Sequence, residues 1–467
     1  MTMTRLRRRV LAAALTSAVA LTAGAVTAGA GAAPARGEPK CPLNALDKAD
    51  KPVEIVYWHS MRRNLEETLV ALTDQFNSSQ DDVRVSLVNQ IEYDDTLEKF
   101  RAGLSTGQLP DIVQFSENAL QQAIDSQAVL PAQACIDADD YDTSDFLPRV
   151  IDYYTVEGTQ WAMPFNVSNP VLYYDKAAFS QAGLDPEQPP TTLDEVRAHA
   201  EQIKANLGYP YGFALKIDAW FFEQLLAKDD LLYVDNGNGR NARAGGAQFD
   251  NKTGRDAFTW MSGMVADGLA VTNPRTGQGE LNNYLAIGNR QAAMTIDTTA
   301  ALGTIAQVLG SGDYAHVDLG VAPLPGSSKG GVSVGGGALY IVSQSSPAKQ
   351  AAAWEYAKFL NEPEQVAAWA GGTGYVPTRE SAVALPAVQQ RWAELPGFQV
   401  AYDQLLDGKN NLKTAGPVIG AFQAVRAVIE DQQTAMLNDG KKPKAALRDA
   451  KEQSDAEIED YNDRVGG

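Results

Sequence analysis

Between residues 53 and 126 short β-branched runs alternate with amphipathic helical ones, and few architectures accept that alternation. Val53–His59 (Val-Glu-Ile-Val-Tyr-Trp-His) reads as a strand. Leu65, Leu69, Leu72 and Phe76 follow at helical spacing and define one face of a helix over residues 64–77. Val83–Val88 is a second strand, and Leu97, Phe100 and Leu104 share one face of a helix over 96–104. Asp111–Phe115 is a third strand, leading into a helix over 117–126. Strands joined by helices pair in parallel, and the helices cover both faces of the sheet. Such sheets bind ligands at the carboxyl ends of their strands. Tyr93 and Glu117 both follow strand ends, so topology alone makes them candidate site residues.

Further along, Pro164 and Pro170 bracket Phe-Asn-Val-Ser-Asn, a pattern that suits a connection between domains. Val171–Tyr174 reads as a strand, and residues 192–205 as a helix capped by Thr191 or Thr192 with Glu195 in its first turn. A strand over Ala293–Asp297 leads to a helix from about Thr299. Gly335-Gly336-Gly337 opens a strand over Ala338–Val342, and Pro347 starts a helix over 348–360. The C-terminal quarter reads as two helices, 415–439 and 444–461, parted by Gly440 and Pro443.

The formal charge of −19 disfavours nucleic acid and anionic lipid surfaces as partners. The three histidines, His59, His199 and His316, lack metal-ligand spacing, so neither a metal nor a cofactor is expected. Residues 1–35 read as an export signal: Arg5, Arg7, Arg8 and Arg9 precede an apolar run, and Ala33 and Ala35 suit cleavage before Arg36. In an exported chain the two cysteines, Cys41 and Cys135, are expected to form a disulfide. Glu38-Pro39-Lys40 before Cys41 does not have the small, apolar character of a lipidation signal.

The most specific motifs are Trp58-His59-Ser60-Met61, then Pro164-Phe165-Asn166, Ser168 and Pro170-Val171-Leu172-Tyr173-Tyr174. Ala182-Gly183-Leu184-Asp185-Pro186, Ala293-Met294-Thr295, Gly335-Gly336 and Thr373-Gly374-Tyr375 follow in order. With these the chain, over roughly 53–460, resembles the extracellular solute-binding proteins of bacterial ABC importers, in the maltodextrin-binding superfamily. Within them it looks most like the glycerol-3-phosphate and glycerophosphodiester binders. The resemblance implies an α/β, two-lobed periplasmic-binding-protein-like clamp whose lobes are built from discontinuous segments. Lobe I is expected to comprise 53–164 and 300–345, and lobe II 165–299 and 346–467.

The same resemblance implies a monomer that captures a small molecule and passes it to permease subunits. Tyr93 and Glu117 would bind glycerol hydroxyls. Ser168, Thr298, the backbone of Gly336, Tyr375 and Arg426 would surround a phosphate, and Trp220 would form an aromatic wall. The chemistry is coherent, since hydroxyls, a backbone N–H and a guanidinium are all donors to an anion. Ile217 stands where a glycerol-3-phosphate binder would place a second tryptophan, and a smaller residue there is expected to leave room for a headgroup such as choline. A neutral oligosaccharide is the alternative ligand. A catalytic role is disfavoured, because the scattered histidines offer neither a metal cluster nor a histidine nucleophile.

Overall fold

The computed structural model describes residues 39–275 and 278–466, so the export signal expected over 1–35 lies outside the described residues. In the first sheet β1 (Val53–His59) lies between β2 (Val83–Asn89) and β3 (Ile112–Ser116) and runs parallel to both. A two-residue strand, β4 (Val129–Leu130), lies at the far edge, and β5 (Thr155–Val156) and β6 (Thr159–Gln160) form a separate small hairpin. The next strand, β7 (Met163–Ser168), ends one residue before β8 (Pro170–Asp175). β8 belongs to the second sheet, with β9 (Phe213–Ile217), β10 (Ala270–Pro274), β11 (Met294–Thr298) and β12 (Leu319–Pro323) in the order β10-β9-β11-β8-β12. The last strand, β13 (Gly335–Val342), returns to the first sheet and runs antiparallel to β3, β4 and β7.

The two sheets are the centres of two lobes, and Asn169 carries the chain from one to the other, where the bracketing prolines suggested. The alternation over 53–126 yields the expected parallel strands. The helix expected over 96–104 runs Tyr93–Thr106, which brings Tyr93 onto its first turn. The segment after Ser116 opens as a short 3-10 turn, Glu117–Ala119, before the helix Leu120–Asp125.

The lobe boundaries need three corrections. Residues 165–168, expected to open lobe II, complete β7 and pair with β13 in the first sheet, so the chain crosses at Asn169 and not at 164/165. Residues 300–345 do not form one block of lobe I, because β12 pairs with β8 in the second sheet. That pairing fills the edge of β8 that β11 leaves open, so β8 is not left as an edge strand. Conversely, the helix Pro347–Leu360 packs in lobe I. Trp354, Tyr356, Ala357 and Leu360 enter the core that holds Tyr57, Leu72 and Phe76. Tyr356 stacks edge-on to Tyr57 and Phe76, and its hydroxyl meets Thr73 at 2.6 Å. The helices Phe422–Asn438 and Pro443–Val465 do lie in lobe II, against Ala219–Lys228 and Lys252–Ala266. The first of them starts at Phe422 rather than 415. Gly416, at φ +84°, and Pro417 break the segment before it.

Cys41 and Cys135 are joined, with Cα atoms 4.7 Å apart, tying the segment before β1 to the helix Ala132–Ala138. Among the described residues no helix is long and apolar enough to cross a membrane.

Candidate ligand-binding cleft

A cleft of about 260 Å³ opens between the lobes at the carboxyl ends of their strands. Ser60 reaches it from the end of β1, Glu117 from β3, Lys216 and Asp218 from β9, Arg275 from β10 and Thr298 from β11. Tyr93, Glu117, Ser168, Trp220, Thr298, Gly336, Tyr375 and Arg426 all line it. Residues from more than three hundred positions of chain thus converge on one volume.

The lobe I wall rests on a buried amide relay. Gln114 Oε1 accepts from the Ser60 backbone at 2.9 Å, and Gln114 Nε2 donates to Asn166 Oδ1 at 2.7 Å. Asn166 Nδ2 then donates to the Tyr93 hydroxyl at 2.7 Å, which also bonds Tyr375. Tyr375 lies face to face with Trp369, ring centres 5.6 Å apart. Burial holds the Tyr93 phenol well above its ordinary pKa, so it stays protonated and can donate.

The glycine run has a steric explanation. Gly336 has φ +99°, and a Cβ there would sit 1.8 Å from the Asn166 carbonyl oxygen; one at Gly335 would sit 2.3 Å from the Trp220 ring. Only glycine lets β13 pass this close to both lobes and bring backbone to the cleft wall.

Two hydroxyls are disposed to serve a ligand. The Ser168 side chain has no hydrogen-bond partner among the described residues, although the residue is buried. Thr298 Oγ1 accepts from the Ala300 backbone at 3.2 Å, capping a short helix and leaving its own proton to donate. Across the cleft Asp218 accepts from the Trp220 backbone at 3.0 Å and so starts the helix Ala219–Lys228. The Trp220 indole N–H is buried without a partner among the described residues.

Charge is arranged in clusters of one cation and two acids. Arg426 donates from Nε and Nη2 to the two oxygens of Glu223, at 2.7 and 2.8 Å, and from Nη2 to Glu117 Oε1 at 2.7 Å. Lys216 lies 2.8 Å from Asp297 and 3.9 Å from Asp218. Arg275 lies 3.0 Å from Glu430 and 3.5 Å from Asp94. The contacts Arg426–Glu117 and Arg275–Asp94 run from lobe II to lobe I. Burial opposes the charge on Arg426, but the carboxylates of Glu223 and Glu117 outweigh it and hold the guanidinium above its ordinary pKa. Burial also dominates at Glu223, whose pKa is pushed up to about 7 against the pull of Arg426. At Asp297 burial again raises the pKa, with Lys216 opposing.

Sequence reasoning missed Glu223, Lys216, Asp218, Arg275 and Asp297. Glu223 was within reach, since it lies three residues after Trp220 and so shares its helix face. Ile217 is placed differently from expectation. It is 7% exposed, belongs to the lobe II core and does not line the cleft. Its neighbours Lys216 and Asp218 do line it, because successive side chains of a strand face opposite ways. The expectation that Ile217 itself opens room for a headgroup is therefore corrected.

Residues 71–397 match the family model of the bacterial extracellular solute-binding proteins. The chain is similar to the sn-glycerol-3-phosphate-binding periplasmic protein UgpB of Yersinia pseudotuberculosis, 30% identical over 412 residues, covering 86% of this chain and 91% of that relative. Among solved structures it is similar to UgpB of Mycobacterium tuberculosis in complex with glycerophosphocholine, at TM-score 0.72 and 20% identity, covering 87% of this chain and 98% of the other. It is equally similar to the acarbose-binding GacH receptor of Streptomyces glaucescens, at TM-score 0.73 and 20% identity, covering 87% and 99%. These two likenesses establish a shared two-lobed fold.

Proposed function

The chain belongs to the bacterial extracellular solute-binding proteins, and on that footing we propose that it captures a glycerophosphodiester outside the membrane and delivers it to an ABC importer. The observation that carries this reading is the convergence of Ser168, Thr298, Gly336 and Arg426 on one cleft with Tyr93 and Glu117. Free hydroxyl and guanidinium N–H groups suit phosphate oxygens, and the acceptor-only carboxylate of Glu117 suits glycerol hydroxyls. The 30% identical relatives are sn-glycerol-3-phosphate binders by name, which supports the glycerol-phosphate class.

Within that class the charge arrangement favours a diester. Lys216, Arg275 and Arg426 each already face two carboxylates, so a cleft of this kind accommodates one ligand charge more readily than a monoester's nearly two. Trp220 and Phe221, with ring centres 5.7 Å apart on the lobe II wall, would offer aromatic faces to a quaternary ammonium, a contact of roughly 0.5–2 kcal/mol.

A neutral oligosaccharide is the second reading. The same surplus of carboxylates and the aromatic wall are what sugar hydroxyls and ring faces require. Calorimetric titration of the secreted protein with glycerophosphocholine, glycerophosphoethanolamine, glycerol 3-phosphate and maltose separates the two. The expected result is saturable heat with the glycerophosphodiesters, weaker binding of glycerol 3-phosphate and none of maltose. Maltose binding with silent phosphates would replace this reading with the sugar one.

A further inference from the structure

Of the clusters in the cleft, the one around Arg426 poses the sharpest electrostatic problem. Glu223 occupies the guanidinium edge formed by Nε and Nη2, and Glu117 takes the remaining hydrogen of Nη2. Nη1 makes no hydrogen bond among the described residues, so an incoming phosphate oxygen meets a guanidinium with one amino group open and two carboxylates attached. Glu223 is 4% exposed and Glu117 5%, so water does little to screen them.

We infer that Glu223 is the positioning residue for the ligand's anion and takes up one proton as the anion docks on Arg426, making capture proton-coupled. This rests on the glycerophosphodiester reading above. Three anions on one buried guanidinium are unfavourable, and two other cations of the cleft, Lys216 and Arg275, are each held between two acids. A proton from solvent on one Glu223 oxygen removes one of the three charges. The other oxygen still accepts from Nε and keeps the guanidinium plane fixed, while Nη2 is released to serve the phosphate.

The surroundings favour the neutral acid. Glu117 approaches from lobe I and Asp218 from the start of the same helix, both negative. Glu430 follows Arg426 by one turn and is offset by Arg275. The phenols of Tyr153 and Tyr233 face the pair and stay protonated, since burial holds both well above their ordinary pKa. With the free protein already poised near neutrality at Glu223, an added anion moves the group further toward protonation. Uptake is then expected from about pH 7 up to the raised bound-state pKa, and is absent well below that window, where the proton is already bound, and well above it, where neither state holds it.

The test is calorimetry of the full chain with glycerophosphocholine, which has no group titrating between pH 5 and 9, in buffers of different ionisation enthalpy. At pH 7.5 the apparent heats should differ between buffers by an amount that reports uptake of about half a proton for a one-unit shift. Kd should weaken about sixfold from pH 6.5 to 8.5 if the anion raises the bound-state pKa by about one unit. Glu223→Gln keeps an oxygen for Nε but cannot titrate, and both the buffer difference and the pH dependence should vanish. Buffer-independent heats with a flat Kd in the wild type overturn the inference and leave the ligand reading intact, and need no variant. Titrations silent in every buffer remove the ligand reading and this inference with it.

Discussion

Arg426→Ala should weaken glycerophosphocholine binding by roughly thirty- to seven-hundred-fold, the equivalent of about 2–4 kcal/mol. The guanidinium supplies the open Nη1 group and the only cation directly bonded to Glu117 and Glu223 among the described residues. Removing it leaves both carboxylates buried, so the variant should also lose stability, by up to about 3–5 kcal/mol if neither acid relaxes. Protonation of Glu223 should soften that cost, at pH 7 and not only below it, because burial favours its neutral form and Arg426 no longer opposes that. Arg426→Lys should recover part of the binding, since an ammonium carries charge but cannot fork between Glu223 and an anion. Calorimetry on protein whose fold is verified by circular dichroism measures the effect. Near-wild-type affinity in a folded Arg426→Ala protein would move the phosphate site elsewhere.

Opening the Cys41–Cys135 bridge should cost about 4–5 kcal/mol of stability, the chain-entropy value for a loop whose ends are 94 residues apart. The loop encloses β1, β2 and β3, so cross-linking its ends removes much of the unfolded freedom of lobe I. Cys135 is fully buried, so paired serine substitutions are a cleaner probe than added reductant. The double variant should melt several degrees lower while its calorimetric Kd stays close to wild type, because neither cysteine lines the cleft. Equal melting temperatures would mean that the bridge adds no net stability.

What the sequence disclosed follows from how local each signal is. The strand and helix periods over 53–126 were legible because period two and period 3.6 are written into neighbouring residues. The crossing at Asn169 was legible because prolines punctuate it. The lobe assignments of β12 and of the helix Pro347–Leu360 were not, since both depend on which distant edge or face stands open. A similar limit applies to the cleft. The eight ligand candidates came largely from family resemblance, which aligns positions without saying which way a side chain faces. Ile217 was misread for that reason, although strand alternation with Lys216 and Asp218 carried the correction. Glu223 was missed because a lone glutamate on an apolar helix gives no sign of a partner two hundred residues away.

The most direct measurement is a crystal structure of the protein grown with glycerophosphocholine. The phosphate should lie within hydrogen-bond distance of Arg426 Nη1, the Ser168 and Thr298 hydroxyls and the Gly336 backbone, with glycerol hydroxyls against Tyr93 and Glu117. A ligand seated in the cleft with its phosphate in solvent, or Arg426 still committed to Glu117 and Glu223 alone, would contradict this placement.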